Sequence, residues 1–224
     1  MQNKIWFFGD CFTWGAGCRP EQPYYQWKKP EDKLWTEIVS DYFNMIEEKP
    51  FYKMGATMYI IVNFIRALKN IKKGDIVIIS DSDVKSTLSI SRNKKNISSI
   101  SAYRLRDFEQ WHNEEEKQIV TSFIDNQVRP YEKIWENFYI DLIKDLAYEL
   151  KNRGINTLFW SHYEWKNDYP VGSEKWLGNN KYETIFEATN NEIKDQHFSW
   201  KGNKQFANYI INRIENKEWL VNLI

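Results

Sequence analysis

Short, nearly continuous apolar runs alternate along this chain with longer segments whose apolar residues recur every three to four positions. Lys4–Phe8 and Ile76–Ile79 read as strands buried on both faces, the kind that parallel sheets use. Ile155–Trp160 reads as another, and Phe51–Lys53 as a short second strand ending at Met54-Gly55. Between them, Glu31–Asn44 carries Leu34, Trp35, Ile38, Val39 and Tyr42 at helical spacing behind Pro30. Thr57–Ile71 is amphipathic, with Ile60, Ile61, Phe64, Ile65 and Leu68 on one side, and the turn Lys73-Gly74-Asp75 follows it. Pro130–Arg153 holds the longest helical pattern, through Ile134, Phe138, Ile140, Leu142, Ile143, Leu146 and Leu150, and closes at Gly154. Lys201–Ile214 predicts the final helix.

Strands alternating with helices imply βαβ units, right-handed crossovers and an α/β fold around a parallel sheet. The pattern weakens over 84–126, where Ser, Lys and Asn give way to the charged Glu114-Glu115-Glu116-Lys117. That stretch reads as an insertion after the third strand, partly helical, serving either as a lid or partner surface or as a decorated loop. Tyr163–Thr189 is loop-rich, with Pro170, Gly172 and Gly178. Without a repeat, a low-complexity linker or a composition break, residues 1–224 read as one domain.

Composition narrows the function classes. With 31 basic and 31 acidic residues the chain has no global attraction for nucleic acid or an anionic membrane. The short basic run Arg92-Asn93-Lys94-Lys95 reads as a solvated loop. No apolar run approaches the roughly 18 residues of a membrane span, and the chain opens on a strand rather than a leader, so a cytoplasmic protein is expected. Only Cys11, Cys18 and three His are available, which makes neither a disulfide framework nor a metal-ligand spacing, and no cofactor is expected. Aromatic residues make up 17% of the chain, including eleven Trp. Rings in polar surroundings (Trp27, Trp35, Trp165, Trp176, Trp200) suit a carbohydrate-bearing ligand, although an aromatic-rich core accounts for them equally well.

The chemistry concentrates at two ends. Gly9-Asp10-Cys11-Phe12-Thr13-Trp14-Gly15 follows directly on the first strand, so Cys11 stands at the carboxyl edge where open α/β sheets place ligands. Gly9 is expected there for backbone angles closed to other residues, with Gly15 and Gly17 keeping the next turn open. A thiol nucleophile needs a base, and the base needs a group to orient it. His197 and Asp195, in Asp195-Gln196-His197-Phe198-Ser199-Trp200, are the candidates.

These two segments resemble the first and last blocks of the SGNH/GDSL hydrolase family. Gly9-Asp10-Cys11 stands where the family has Gly-Asp-Ser. Asp195 and His197 precede a tail, Gly202-Asn203-Lys204-Gln205-Phe206-Ala207, similar to the family's last helix. The two-residue offset from Asp to His is like that of the family's sugar O-acetyltransferase branches. The resemblance implies a three-layer α/β/α sandwich with a central parallel sheet, of SGNH or flavodoxin-like build. It implies Cys11 as nucleophile, His197 as base, Asp195 as orienter and Asp10 as support of the turn. The oxyanion donors it implies are the N–H groups of Cys11 and Gly55. Where the family has an Asn in its third block, this chain has Ser80-Asp81-Ser82-Asp83, leaving Ser80 or Ser82 to rebuild the third donor. Asp81 and Asp83 are read as caps rather than metal ligands. His162, just past a strand, is a candidate substrate contact; His112 has no role.

A thiol in place of a hydroxyl passes its acyl group through a thioester, which favours transfer alongside hydrolysis. The expected activity is therefore that of an acyl hydrolase or acyltransferase acting on a small acyl ester, with a carbohydrate ester the preferred class. A catalytically silent binding or assembly module and a thiol-dependent amidase or peptidase are the alternatives.

Overall fold

A computed structural model of the chain describes residues 2–15, 31–49, 57–80, 86–91, 96–101, 114–123, 125, 126, 130, 132–160, 198 and 200–222. Strand β1 (Lys4–Phe8) lies between β2 (Ile46–Glu48) and β3 (Ile76–Ser80), and β3 pairs on its other side with β6 (Asn156–Trp160). All three pairings are parallel, in the order β2-β1-β3-β6. Two further strands, β4 (Ser86–Ser91) and β5 (Asn96–Ser101), form a separate antiparallel pair within the stretch expected as an insertion. The helices are α1 (Cys11–Trp14), α2 (Trp35–Tyr42), α3 (Thr57–Ala67), α4 (Glu114–Phe123), α5 (Glu132–Asn152) and α6 (Trp200–Glu215). The molecule is thus a mixed α/β fold with a four-stranded parallel sheet.

Strand alternation divides the core in two. Trp6, Phe8, Val77, Ile79 and Phe159 pack with Ile60, Ile61 and Phe64 of α3 and Ile143, Ala147 and Leu150 of α5. Ile5, Phe7, Ile78, Leu158 and Trp160 pack with Trp35 and Val39 of α2 and Phe206, Ile210, Ile211 and Ile214 of α6. At the foot of the sheet, buried Asp75 accepts hydrogen bonds from the Lys4 and Lys72 N–H groups and the Trp6 indole, each at 2.9 Å. The carboxylate so ties the start of β1 to the turn before β3.

Several expectations shift for local reasons. The helix expected from Glu31, α2, begins at Trp35, four residues later, because Leu34 is still extended (φ −67°, ψ 152°). It ends at Tyr42, since Asn44 adopts a left-handed conformation (φ 50°) and the Met45 N–H returns to the Ser40 carbonyl at 2.9 Å. Ile46 then donates to the Asn3 carbonyl, so the second strand of the sheet is Ile46–Glu48; the expected Phe51–Lys53 lies outside the described residues. Ile65, Ile134 and Phe138, members of the apolar patterns that predict α3 and α5, are exposed, because the two helices offer the sheet a narrower stripe than those patterns contain. Gly154 closes α5 at φ 74°, and the Ile155 N–H reaches the Leu150 carbonyl at 2.9 Å.

Candidate functional site

The strand order reverses direction between β1 and β3, and the carboxyl ends of those two strands bound the crevice where doubly wound sheets bind ligands. The Gly9–Trp14 turn leaves β1 at this point. Asp10 is 2% exposed and sits as the cap of α1: its Oδ1 accepts the Phe12 N–H and its carbonyl the Trp14 N–H, both at 3.0 Å. The carboxylate is thus directed at its own turn. Cys11 is the first residue of α1.

Gly9 is required here for space. Its φ is not among the positive values found at Gly15, Gly74 and Gly154. A Cβ on Gly9 would instead stand 2.0 Å from Thr13 Oγ1 and 2.3 Å from Ser80 Oγ. That corrects the expectation of special backbone angles at Gly9; Gly15, at φ 84°, does use them. Ser80 ends β3 fully buried, with its hydroxyl 3.5 Å from that of Thr13.

The two ends of the chain meet beside this turn. The Phe12 ring packs on Phe198 with centroids 4.9 Å apart, and Phe198 packs on Phe206 of α6 at 5.1 Å. The residues following Cys11 and His197 are therefore in ring contact within one core cluster. Asn203, in the first turns of α6, is buried and accepts the Trp35 N–H at the start of α2, at 2.9 Å. Farther along α6, Arg213 donates to the Phe159 carbonyl at 2.8 Å and to Glu218 at 3.0 Å. Burial pushes the half-buried Tyr209 hydroxyl above its ordinary pKa, against an opposing pull from Arg213.

His197, Asp195, Gly55 and Ser82 lie outside the described residues, as do Asp81, Asp83, His112 and His162. Sequence reasoning passed over Thr13 and the Phe12–Phe198 pair. The available signal was position: Phe12 and Phe198 each directly follow a chemistry-bearing residue.

A groove of about 310 Å³ along α2 is lined by acidic side chains, but they are engaged within the protein. Asp41 pairs with Lys33, Glu47 with Lys49, and Glu37 accepts the Leu34 N–H. Among the described residues no three His, Cys, Asp or Glu side chains are grouped to hold a metal ion, and no helix is long and apolar enough to cross a membrane. Comparison of the chain with protein-family models, curated proteins and solved structures finds no match.

Proposed function

We propose that the chain is an SGNH-like acyl hydrolase or acyltransferase of three-layer α/β/α build, with residues 84–126 inserted after the third strand of the sheet. Cys11 is the nucleophile, His197 the base and Asp195 its orienter. His197 takes the thiol proton while sulfur attacks the ester carbonyl carbon. The carbonyl oxygen gathers negative charge and is met by the Cys11 and Gly55 N–H groups, with Ser82 as third donor. The carbon–oxygen ester bond then breaks, and His197 returns the proton to the leaving alkoxide. A thioester on Cys11 remains. Water or an acceptor hydroxyl attacks it, again giving its proton to His197, and the thiol is regenerated. A small acyl ester, preferably of a carbohydrate, is the substrate class, and a reducing cytoplasmic setting keeps the thiol free.

The observation that carries this reading is the Phe12–Phe198 contact. It joins the chain neighbours of Cys11 and His197 beside the carboxyl end of β1, where an acyl-transfer site of this build belongs. Treating the protein with an activated acyl ester and measuring intact mass tests it. One acyl group on Cys11 is expected, absent in Cys11→Ala and formed about 10²–10⁴-fold more slowly in His197→Ala. No adduct on Cys11 overturns the reading in favour of a binding module, and turnover that survives both substitutions overturns it by placing the chemistry on other residues.

A further inference from the structure

Three elements meet at one point beside the turn that carries Cys11: Gly9 beyond β1, Thr13 of α1 and Ser80 at the tip of β3. We infer that the Thr13–Ser80 hydroxyl pair is a positioning strut that sets the orientation of the turn presenting Cys11. The inference rests on the reading of Cys11 as nucleophile and adds to it two residues that touch neither substrate nor reacting atoms.

The first argument is composition against burial. β3 runs Ile76, Val77, Ile78, Ile79 and then turns to Ser80 at a fully buried position. Thr13 is also buried, at 2% exposure. Hydroxyls so placed cost stability unless they face a polar group, and these two face each other at 3.5 Å, a contact longer than an ordinary hydroxyl hydrogen bond. The second argument is fit. The Gly9 Cα lies against both oxygens, with no room for a Cβ, so the two hydroxyls and the glycine form one packed contact.

The third argument is mechanical. α1 is four residues long and its backbone closes through the Trp14 N–H and the Asp10 carbonyl. A single turn does not hold itself together in water. Its pitch depends on side-chain anchors, and two of them fall on consecutive residues. Phe12 is held by Phe198, and Thr13 is held against β3 through Ser80. The Phe12 carbonyl also accepts the Trp35 indole N–H at 3.1 Å, so Phe12 ties the turn to α2 and to Phe198 while Thr13 ties it to the tip of β3, and these ties together set the direction in which residue 11 is offered.

The test is a double-mutant cycle of Thr13→Val and Ser80→Ala in the full chain, with Thr13→Ser as the conservative variant. Two rates are read on Cys11, acylation by an activated ester and alkylation by iodoacetamide across pH, with cooperative unfolding checked for each variant. Each single variant is expected to acylate on the order of 10–10²-fold more slowly with KM little changed, because a small misorientation of a nucleophile has that effect. The double variant should be no slower than the worse single one, and Thr13→Ser should keep the wild-type rate. Should Thr13→Val not fold, Ser80→Ala, which removes one oxygen, carries the test alone. Wild-type rates in Ser80→Ala, or effects of the two sites that simply add, overturn the strut while leaving Cys11 and His197 standing. If the wild-type protein takes up no acyl group, the proposed function falls, and alkylation decides the strut separately. A rate or pH profile changed in Ser80→Ala upholds it, and an unchanged one overturns it.

Discussion

The side chain of Asn203 accepts the backbone N–H of Trp35 at 2.9 Å, joining the start of α6 to the start of α2. The residue before Trp35 is Leu34, whose side chain has no oxygen to cap the helix, and the Trp35 N–H finds its acceptor on another helix. Both residues are buried, so the N–H would have no water to turn to. Asn203→Ala should therefore destabilise the fold by about 1–3 kcal/mol, more than an exposed cap would. Urea unfolding measures it; a loss under about 0.5 kcal/mol would show that water replaces the amide.

Gly9→Ala should be costly although its backbone angle is ordinary. The added methyl meets Thr13 Oγ1 and Ser80 Oγ at 2.0 and 2.3 Å, and both belong to short, buried side chains that cannot swing away. Overpacking of this kind costs about 1–3 kcal/mol. Combining Gly9→Ala with Ser80→Ala should recover part of the loss, a coupling that thermal unfolding of the four proteins would register.

Helix α5 offers a contrast within one element. Ile134 is 64% exposed and Ile143 1%. Ile143→Ala should lose about 2–4 kcal/mol through lost burial and a residual cavity. Ile134→Ala should stay within about 0.5 kcal/mol of wild type. Equal losses at the two positions, read by chemical denaturation, would contradict the packing described.

Alkaline stability should depend on Tyr209. Burial raises its folded-state pKa above the ordinary value of 10.0, so the unfolded chain ionises first as pH rises. Below the ordinary value both states hold the proton and stability is flat; above it the unfolded state is favoured progressively until the folded pKa is passed. The wild type should thus lose stability more steeply than Tyr209→Phe as pH rises beyond that value. Parallel stability curves for the two proteins between neutral and alkaline pH would refute it.

Much of the scaffold was legible because strands buried on both faces have a plain signature. β1 and β3 fall where the runs Lys4–Phe8 and Ile76–Ile79 stand, to within a residue. Glycine closed α5 at the expected place because a left-handed residue at a helix end is a local requirement. The second strand was missed because Ile46-Glu47-Glu48 lies at the sheet edge, where one side is solvated and two charged residues are tolerated. The apolar patterns of α3 and α5 include Ile65, Ile134 and Phe138, which packing leaves exposed, because periodicity reports an apolar stripe but not its width.

The candidate site divides along the same line. Gly9-Asp10-Cys11 at the end of an apolar run is local information, since a strand tip and its turn are built from adjacent residues. Its reading as a nucleophile turn came from the sequence alone. That Gly9 answers to Thr13 and Ser80, that Asn203 caps a helix from the other end of the chain, and that Phe12 meets Phe198 are decisions of the tertiary structure. Such contacts depend on which elements the sheet order sets side by side, and no local pattern carries that order. The chain by itself determined three strands of the parallel sheet, most of its helices and the turn that bears the thiol. Packing alone decided which distant residues hold that turn in place, because close contact between buried groups is a property of the assembled core.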